Sequence, residues 1–125
     1  MEREELDEFY RRYLERCNEH RFDELGEFVD EKVEVNGAPH DVRRYAVGLR
    51  SVVETYPDFR WELQHLLIDG DWLSAHLIDI YTTPDGRLAR LQELALYHVN
   101  DGRIAQVWGD LEQDRLAGAD TYDRA

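Results

Sequence analysis

The chain has one cysteine, one methionine, three prolines in 125 residues and, among fifteen basic side chains, a single lysine, Lys32. The lone thiol, Cys17, excludes an internal disulfide and any multi-cysteine metal centre, and its place in a helical apolar stripe reads as a small buried side chain rather than a nucleophile. No apolar run approaches the roughly 20 residues needed to cross a bilayer. The charged start Met1-Glu2-Arg3-Glu4-Glu5 is not a signal peptide, so a soluble, cytoplasmic protein without a membrane partner is expected. Positive charge is scarce as well. The formal net charge of −13 repels phosphate backbones and argues against nucleic acid as a partner. Ser51 and Ser74 stand on no glycine elbow, and there is neither a phosphate-cradling glycine loop nor a dinucleotide fingerprint. His20, His40, His76 and His98 lack ligand spacing with other donors. Neither a metal nor a cofactor is therefore expected.

The length fits one domain, 1–125, with a small polar tail at about 117–125 expected to fray. Leu6, Phe9, Tyr10, Tyr13, Leu14 and Cys17 recur at three- and four-residue spacing and predict an amphipathic first helix. A shorter helical piece carries Phe22, Leu25, Phe28 and Val29, and a brief strand follows at 32–35, ending in Asn36-Gly37. Val42, Tyr45, Ala46, Leu49, Val52, Val53 and Tyr56 form a second helical stripe that Pro57 and Asp58 terminate. Turn signals at 68–72, 83–87 and 99–103, each containing Asp-Gly, then cut 59–113 into four β-rich runs that must pair as an antiparallel meander.

If each loop is of the three-residue kind, the odd-numbered residues of every run share one face. That face holds Phe59, Trp61, Leu63, His65 and Leu67, then Leu73, Ala75, Leu77, Asp79 and Tyr81. Leu91, Glu93, Ala95, Tyr97 and Val99 follow, then Ala105, Val107, Gly109 and Leu111. The opposite face of the outer runs is more polar, so the odd face is the covered one, under the two striped helices. The expected fold class is α+β, a cone-shaped curved antiparallel sheet wrapped over N-terminal helices. Three polar residues on that apolar wall need explaining: Asp79, Glu93 and His65. Pairing Thr83 with Arg87 makes Asp79 and Glu93 diagonal neighbours, at about 7 Å or less between side-chain roots. Pairing Val99 with Arg103 sets Glu93 opposite Gly109, whose missing side chain leaves room for a ligand. Two carboxylates on an apolar wall push one of the pair to titrate high, which suits general acid/base catalysis near neutral pH. Tyr13 or His65 would donate a hydrogen bond to a developing enolate oxygen. Trp61, Leu63, Tyr97, Tyr81, Tyr45, Leu49, Val107 and Gly109 are the expected substrate-lining residues. On the even face, Trp72, Trp108, Ile78 and Ile80 form an apolar strip that suggests a homodimer.

The order helix, helix, short strand, helix, four strands resembles the nuclear-transport-factor-two-like superfamily, and within it the SnoaL-like polyketide cyclases and their relative ketosteroid isomerase. The resemblance spans nearly the whole chain. Its pieces are Arg12-Tyr13-Leu14 leading to Asn18, Phe22-Asp23-Glu24-Leu25, and Tyr56-Pro57-Asp58-Phe59-Arg60. Asp69-Gly70-Asp71, Asp101-Gly102-Arg103-Ile104 and Val107-Trp108 complete it. It implies a conical pocket, usually within a dimer, in which acid/base side chains move protons on an apolar carbonyl compound such as a polyketide. Tyr13 falls where ketosteroid isomerase keeps its oxyanion-hole tyrosine. That enzyme's second acid falls at Ala95 and its base near Val35 and Asn36, where no carboxylate stands. The aspartate that commonly follows the last-strand tryptophan in SnoaL-like cyclases is replaced by Gly109, with Asp110 one residue later and expected to face the other way.

Competing readings remain open at this level. Arg44 or Arg90 could hold Asp79 in a structural ion pair, Glu93 could face a dimer interface, and His65 could be a satisfied core residue. The expected activity is cofactor-independent aldol cyclisation or isomerisation. Its rivals are a non-catalytic ligand-binding or dimerisation module of the same fold and water addition as in limonene epoxide hydrolase.

Overall fold

The first helix, α1 (Arg3–Asn18), begins where the Glu5 carboxylate accepts a 2.9 Å hydrogen bond from the Glu2 backbone N–H. Such a reciprocal acid satisfies one of the donors that a helix start leaves open. The stripe from Leu6 to Cys17 is buried, and each fully buried large apolar side chain contributes about 1.5–3 kcal/mol. The chain is seen in a computed structural model that describes residues 1–109. The expected frayed tail, Leu111 and Asp110 lie outside the described residues.

A 3₁₀ turn (Phe22–Glu27) leads to β1 (Val29–Val35), which is longer than the sequence suggests, and to the two-residue β2 (Ala38–Pro39). Helix α2 (Val42–Thr55) opens on Asp41, whose carboxylate accepts from the Arg44 N–H at 2.7 Å. Strands β3 (Arg60–Asp69), β4 (Trp72–Thr82), β5 (Leu88–Asn100) and β6 (Arg103–Gly109) form the antiparallel meander. The curved, unclosed six-stranded sheet runs β2-β1-β6-β5-β4-β3, with β1 and β6 parallel. Asn18, at the end of α1, locks helix to sheet: its amide accepts from the Trp61 N–H at 2.7 Å and donates to the Trp61 carbonyl at 2.9 Å.

The middle hairpin has the expected register, with Leu77 opposite Glu93 and Asp79 opposite Leu91. The outer two hairpins do not. Asp69 pairs with Trp72 and Asn100 with Arg103, so these loops contain two residues, with Asp101 at φ +51° and Gly102 at φ +77°. Positive φ at both central positions is the turn that suits the natural strand twist. A two-residue loop alone would flip every later side chain to the other face. Each hairpin corrects this with one bulged residue, Gln64 in β3 and Ala105 in β6. Trp61, Leu73, Leu77, Asp79, Leu91, Glu93, Tyr97 and Val107 consequently all lie buried on the inner face.

Three expectations change as a result. Between the first turn and its bulge the phase is inverted, so Leu66 and Ile68 point towards the core while Leu67 is 68 % exposed. His65 joins Leu67 on the outer face. Gly109 stands opposite Ala95 rather than Glu93, because the two-residue turn and the bulged Ala105 each shift the pairing by one. Ile80 does not extend the outer apolar strip, since it is buried.

Because Gly102 sits in the left-handed region, Gly102→Ala is expected to lower unfolding stability by about 1–2 kcal/mol. Gly26→Ala, where an added Cβ meets nothing within 4 Å, is expected to change it by less than about 0.5 kcal/mol. Urea denaturation of the two variants checks both.

Candidate active site

Beneath the helices the inner face encloses a hollow of about 10 Å³, the room of about one water molecule. Helix α1 contributes Tyr10, Tyr13, Leu14 and Cys17, α2 contributes Leu49, and the sheet supplies Trp61, Leu77, Glu93 and Tyr97. Glu93 is 2 % exposed and Asp79 is 0 % exposed. Asp79 lies opposite Trp61 on β3 and one diagonal step from Glu93.

Four phenols gather here. The hydroxyls of Tyr13 and Tyr45 lie 2.5 Å apart and those of Tyr10 and Tyr97 lie 3.4 Å apart. The Tyr10 and Tyr97 rings are in contact, with centroids 5.1 Å apart, and Tyr13 meets Tyr97 edge-on at 6.0 Å. Burial pushes all four phenols above their ordinary value, and the charge of Glu93 pushes Tyr10, Tyr45 and Tyr97 further the same way. The Cys17 thiol is pushed up to about 12, by burial first and by Glu93 as well, against a lowering hydrogen bond from Tyr13. At neutral pH the hollow is thus lined by neutral hydroxyl and thiol donors around an acid. Cys17 is no nucleophile, because the thiolate is the reactive form.

Not every residue singled out by the sequence meets here. Trp61, Tyr97, Tyr13, Leu49 and Glu93 line the hollow, and Tyr45 reaches it through Tyr13. Tyr81 belongs instead to an aromatic cluster with Tyr56 and Phe59. Leu63 is half-buried in a shallow groove beside α1. Val107 is buried beside Tyr97 on the inner face but does not line the hollow. The half-buried Gly109 donates its N–H to the Asn36 side-chain oxygen at 2.9 Å. His65, expected on the inner wall, is exposed outside: its Nδ1 lies 3.0 Å from Nδ1 of His76, whose Nε2 lies 2.6 Å from Gln92 Oε1. The cause is the two-residue turn, whose phase inversion is corrected only beyond His65, at the Gln64 bulge. Arg90 is exposed on the sheet's outer face and Arg44 is exposed on α2. Among the described residues no group of three or more histidine, cysteine, aspartate or glutamate side chains could hold a metal ion.

The sequence reading missed Tyr10 and Cys17 as lining residues. Their signal was present: Tyr10, Tyr13 or Leu14, and Cys17 follow one another at i, i+3 or i+4, and i+7, so whatever faces one faces all.

The raised thiol and phenols tie stability to alkaline pH. The folded chain keeps these protons beyond the ordinary values of 9.0 and 10.0, where the unfolded chain releases them. The native state then binds more protons than the unfolded state, so stability falls as pH rises. The contribution is complete below about pH 9 and is lost above it. Urea midpoints measured up to about pH 10.5 are expected to decline from about pH 9, and Cys17 is expected to resist a thiol reagent at about pH 8 until the chain is denatured.

Comparison with known proteins agrees with this architecture. No protein of curated function matches the chain by sequence. A SnoaL-like polyketide cyclase from Agrobacterium tumefaciens strain C58 is 31 % identical, with a TM-score of 0.81, over 96 % of this chain and 98 % of that one. TsrD from Streptomyces laurentii is 20 % identical with a TM-score of 0.80 over 95 % and 98 % of the two chains. IdmH from Streptomyces antibioticus is 18 % identical with a TM-score of 0.77 over 83 % and 89 %. The last two show a shared fold. The profile of the SnoaL-like polyketide cyclases matches residues 7–117. With that match over most of its length and a relative above 30 % identity, the chain belongs to the SnoaL-like polyketide cyclase family.

Proposed function

We propose that this protein catalyses cofactor-independent proton transfer on an apolar carbonyl compound, as in aldol-type cyclisation or isomerisation of a polyketide-like substrate. One observation carries the reading: two carboxylates, Glu93 and Asp79, are buried on the inner wall of a fold whose family is that of polyketide cyclases. Taking a carboxylate out of water costs stability in so far as its partners do not compensate it, and two acids set at such depth in this family's inner wall support a use in chemistry.

In the proposed step the Glu93 carboxylate takes a proton from the carbon next to the substrate carbonyl. The electron pair moves onto the carbonyl oxygen, which receives a hydrogen bond from the Tyr13 hydroxyl. In cyclisation the enolate carbon then attacks a second carbonyl, and the alkoxide formed takes the proton back from the carboxyl group. In isomerisation the proton returns to a different carbon. Asp79, one diagonal step away on the same wall, holds or relays the proton. The burial of the four phenols keeps them protonated and therefore able to donate. His65 has no part in the step, being on the outer face.

The same reading includes a homodimer through the outer sheet face, where Leu67, Trp72, Leu94, Leu96 and Trp108 are 39–68 % exposed. It also places the protein in the cytoplasm, in keeping with the lack of any described helix long and apolar enough to cross a membrane. A second reading, a ligand-binding module without turnover, is favoured by the small volume of the hollow, about 10 Å³.

Exchange of the α-protons of 2-tetralone and bicyclic β-keto esters in deuterated water, followed by proton NMR, separates the two. The proposed enzyme accelerates exchange, and Glu93→Gln and Asp79→Asn each lower the rate by about 10²–10⁴-fold without unfolding the chain. Ligand-induced stabilisation with no acceleration, or rates untouched by both substitutions, would establish the binding module instead.

A further inference from the structure

A larger recess opens on the flank of α2. This cleft of about 330 Å³ is lined chiefly by His40, Arg44, Tyr45, Gly48, Leu49 and Val52. Its walls are mostly apolar, yet two cationic or ionisable groups stand at it. Arg44 forms no ion pair among the described residues. The buried Nδ1 of His40 has no hydrogen-bond partner among them either. Local charge runs against the rest of the molecule. In a chain of net charge −13, α2 carries Arg43, Arg44 and Arg50 against Glu54 within the helix and Asp41 at its N-cap, where the carboxylate is engaged by the Arg44 N–H.

Gly48 gives the cleft its depth. Within a helix glycine is a poorer former than every residue but proline, and an added Cβ at this position meets nothing within 4 Å. Packing among the described residues therefore does not require glycine there, whereas an open cleft does. Arg44 and Gly48 lie one turn apart on the same face, so the guanidinium sits beside the space that the glycine leaves.

The cleft also abuts the hollow. Leu49 lines both, and Tyr45 lines the cleft while its hydroxyl bonds that of Tyr13 inside.

We infer that the cleft is the outer subsite of the substrate, and that the substrate is an apolar ring compound with an anionic group, held by Arg44 and His40 while its reacting end passes Tyr45 and Leu49 to Glu93. The inference rests on the proposed function for its inner end, and on the cleft alone for its anion selectivity. Arg44 and His40 are specificity residues in this account: they hold one end of the ligand and take no part in proton transfer.

Two fluorescent probes that share a ring system isolate the charge: 1-anilinonaphthalene-8-sulfonate, which is anionic, and N-phenyl-1-naphthylamine, which is not. Both are titrated into the full chain and into Arg44→Gln and Gly48→Leu. Arg44→Gln is expected to weaken the sulfonate about fivefold and the neutral probe by less than about twofold. Gly48→Leu fills the cleft and is expected to abolish binding of both probes with no fall in melting temperature, since leucine is the better helix former. Equal effects of Arg44→Gln on the two probes, or undiminished binding of both to Gly48→Leu, would overturn the inference. These titrations involve no turnover, so a failure of the Glu93 mechanism alone leaves their outcome unchanged, and their failure leaves the exchange assay unchanged.

Discussion

Strand phase is the constraint on which the rest of this structure depends. A β-strand offers its side chains alternately to two faces, and an odd slip anywhere in the meander would carry Glu93 and Asp79 from the covered wall to solvent. Two of the three hairpins contain such a slip in their two-residue turns, and each undoes it within a few residues through a bulge, at Gln64 and at Ala105. Only the residues caught between turn and bulge change sides. His65 is among them; Trp61 and Leu63, beyond the bulge, are not.

The phase gives the inner wall a composition that stability alone would not choose. Apolar residues dominate it, and the core they form with α1 and α2 is continuous. Into that core the sheet sets Asp79 and Glu93, and α1 sets Tyr10 and Tyr13 beside Glu93, with Tyr45 of α2 bonded to Tyr13. Local departures from good packing chemistry are where function is most reasonably sought. Glu93, the phenols and the cleft on α2 fall in one region, joined by Tyr45 and Leu49 on a single helix turn. The proposed acid/base site and the proposed anionic subsite are thus two ends of one path.

Much of the fold was legible in the sequence because its signals are local. The stripes of α1 and α2, the stop at Pro57, and the pairing of Thr83 with Arg87 that sets Leu77 against Glu93 all follow from spacing and turn chemistry. The bulges were not legible, since neither Gln64 nor Ala105 carries a residue type that marks one. Their compensation for the short turns preserved the inward placing of Trp61 and Val107, while the short turn displaced His65 and turn and bulge together displaced Gly109. The parallel pairing of β1 with β6 was also hidden, because a strand's pattern does not name a distant partner. Tyr10 and Cys17 could have been assigned to the hollow from their spacing to Tyr13, but the cleft at Gly48 depends on helix and strand meeting in three dimensions.

The central claim is that the inner carboxylates are kept for chemistry at a cost to stability. Thermal melting of Glu93→Met, which keeps the length of the side chain and removes its charge, tests this most directly. The account predicts a melting temperature above that of the natural chain, because an acid in an apolar wall is exchanged for a group that suits it. A clear fall would contradict it and would make Glu93 a structural support.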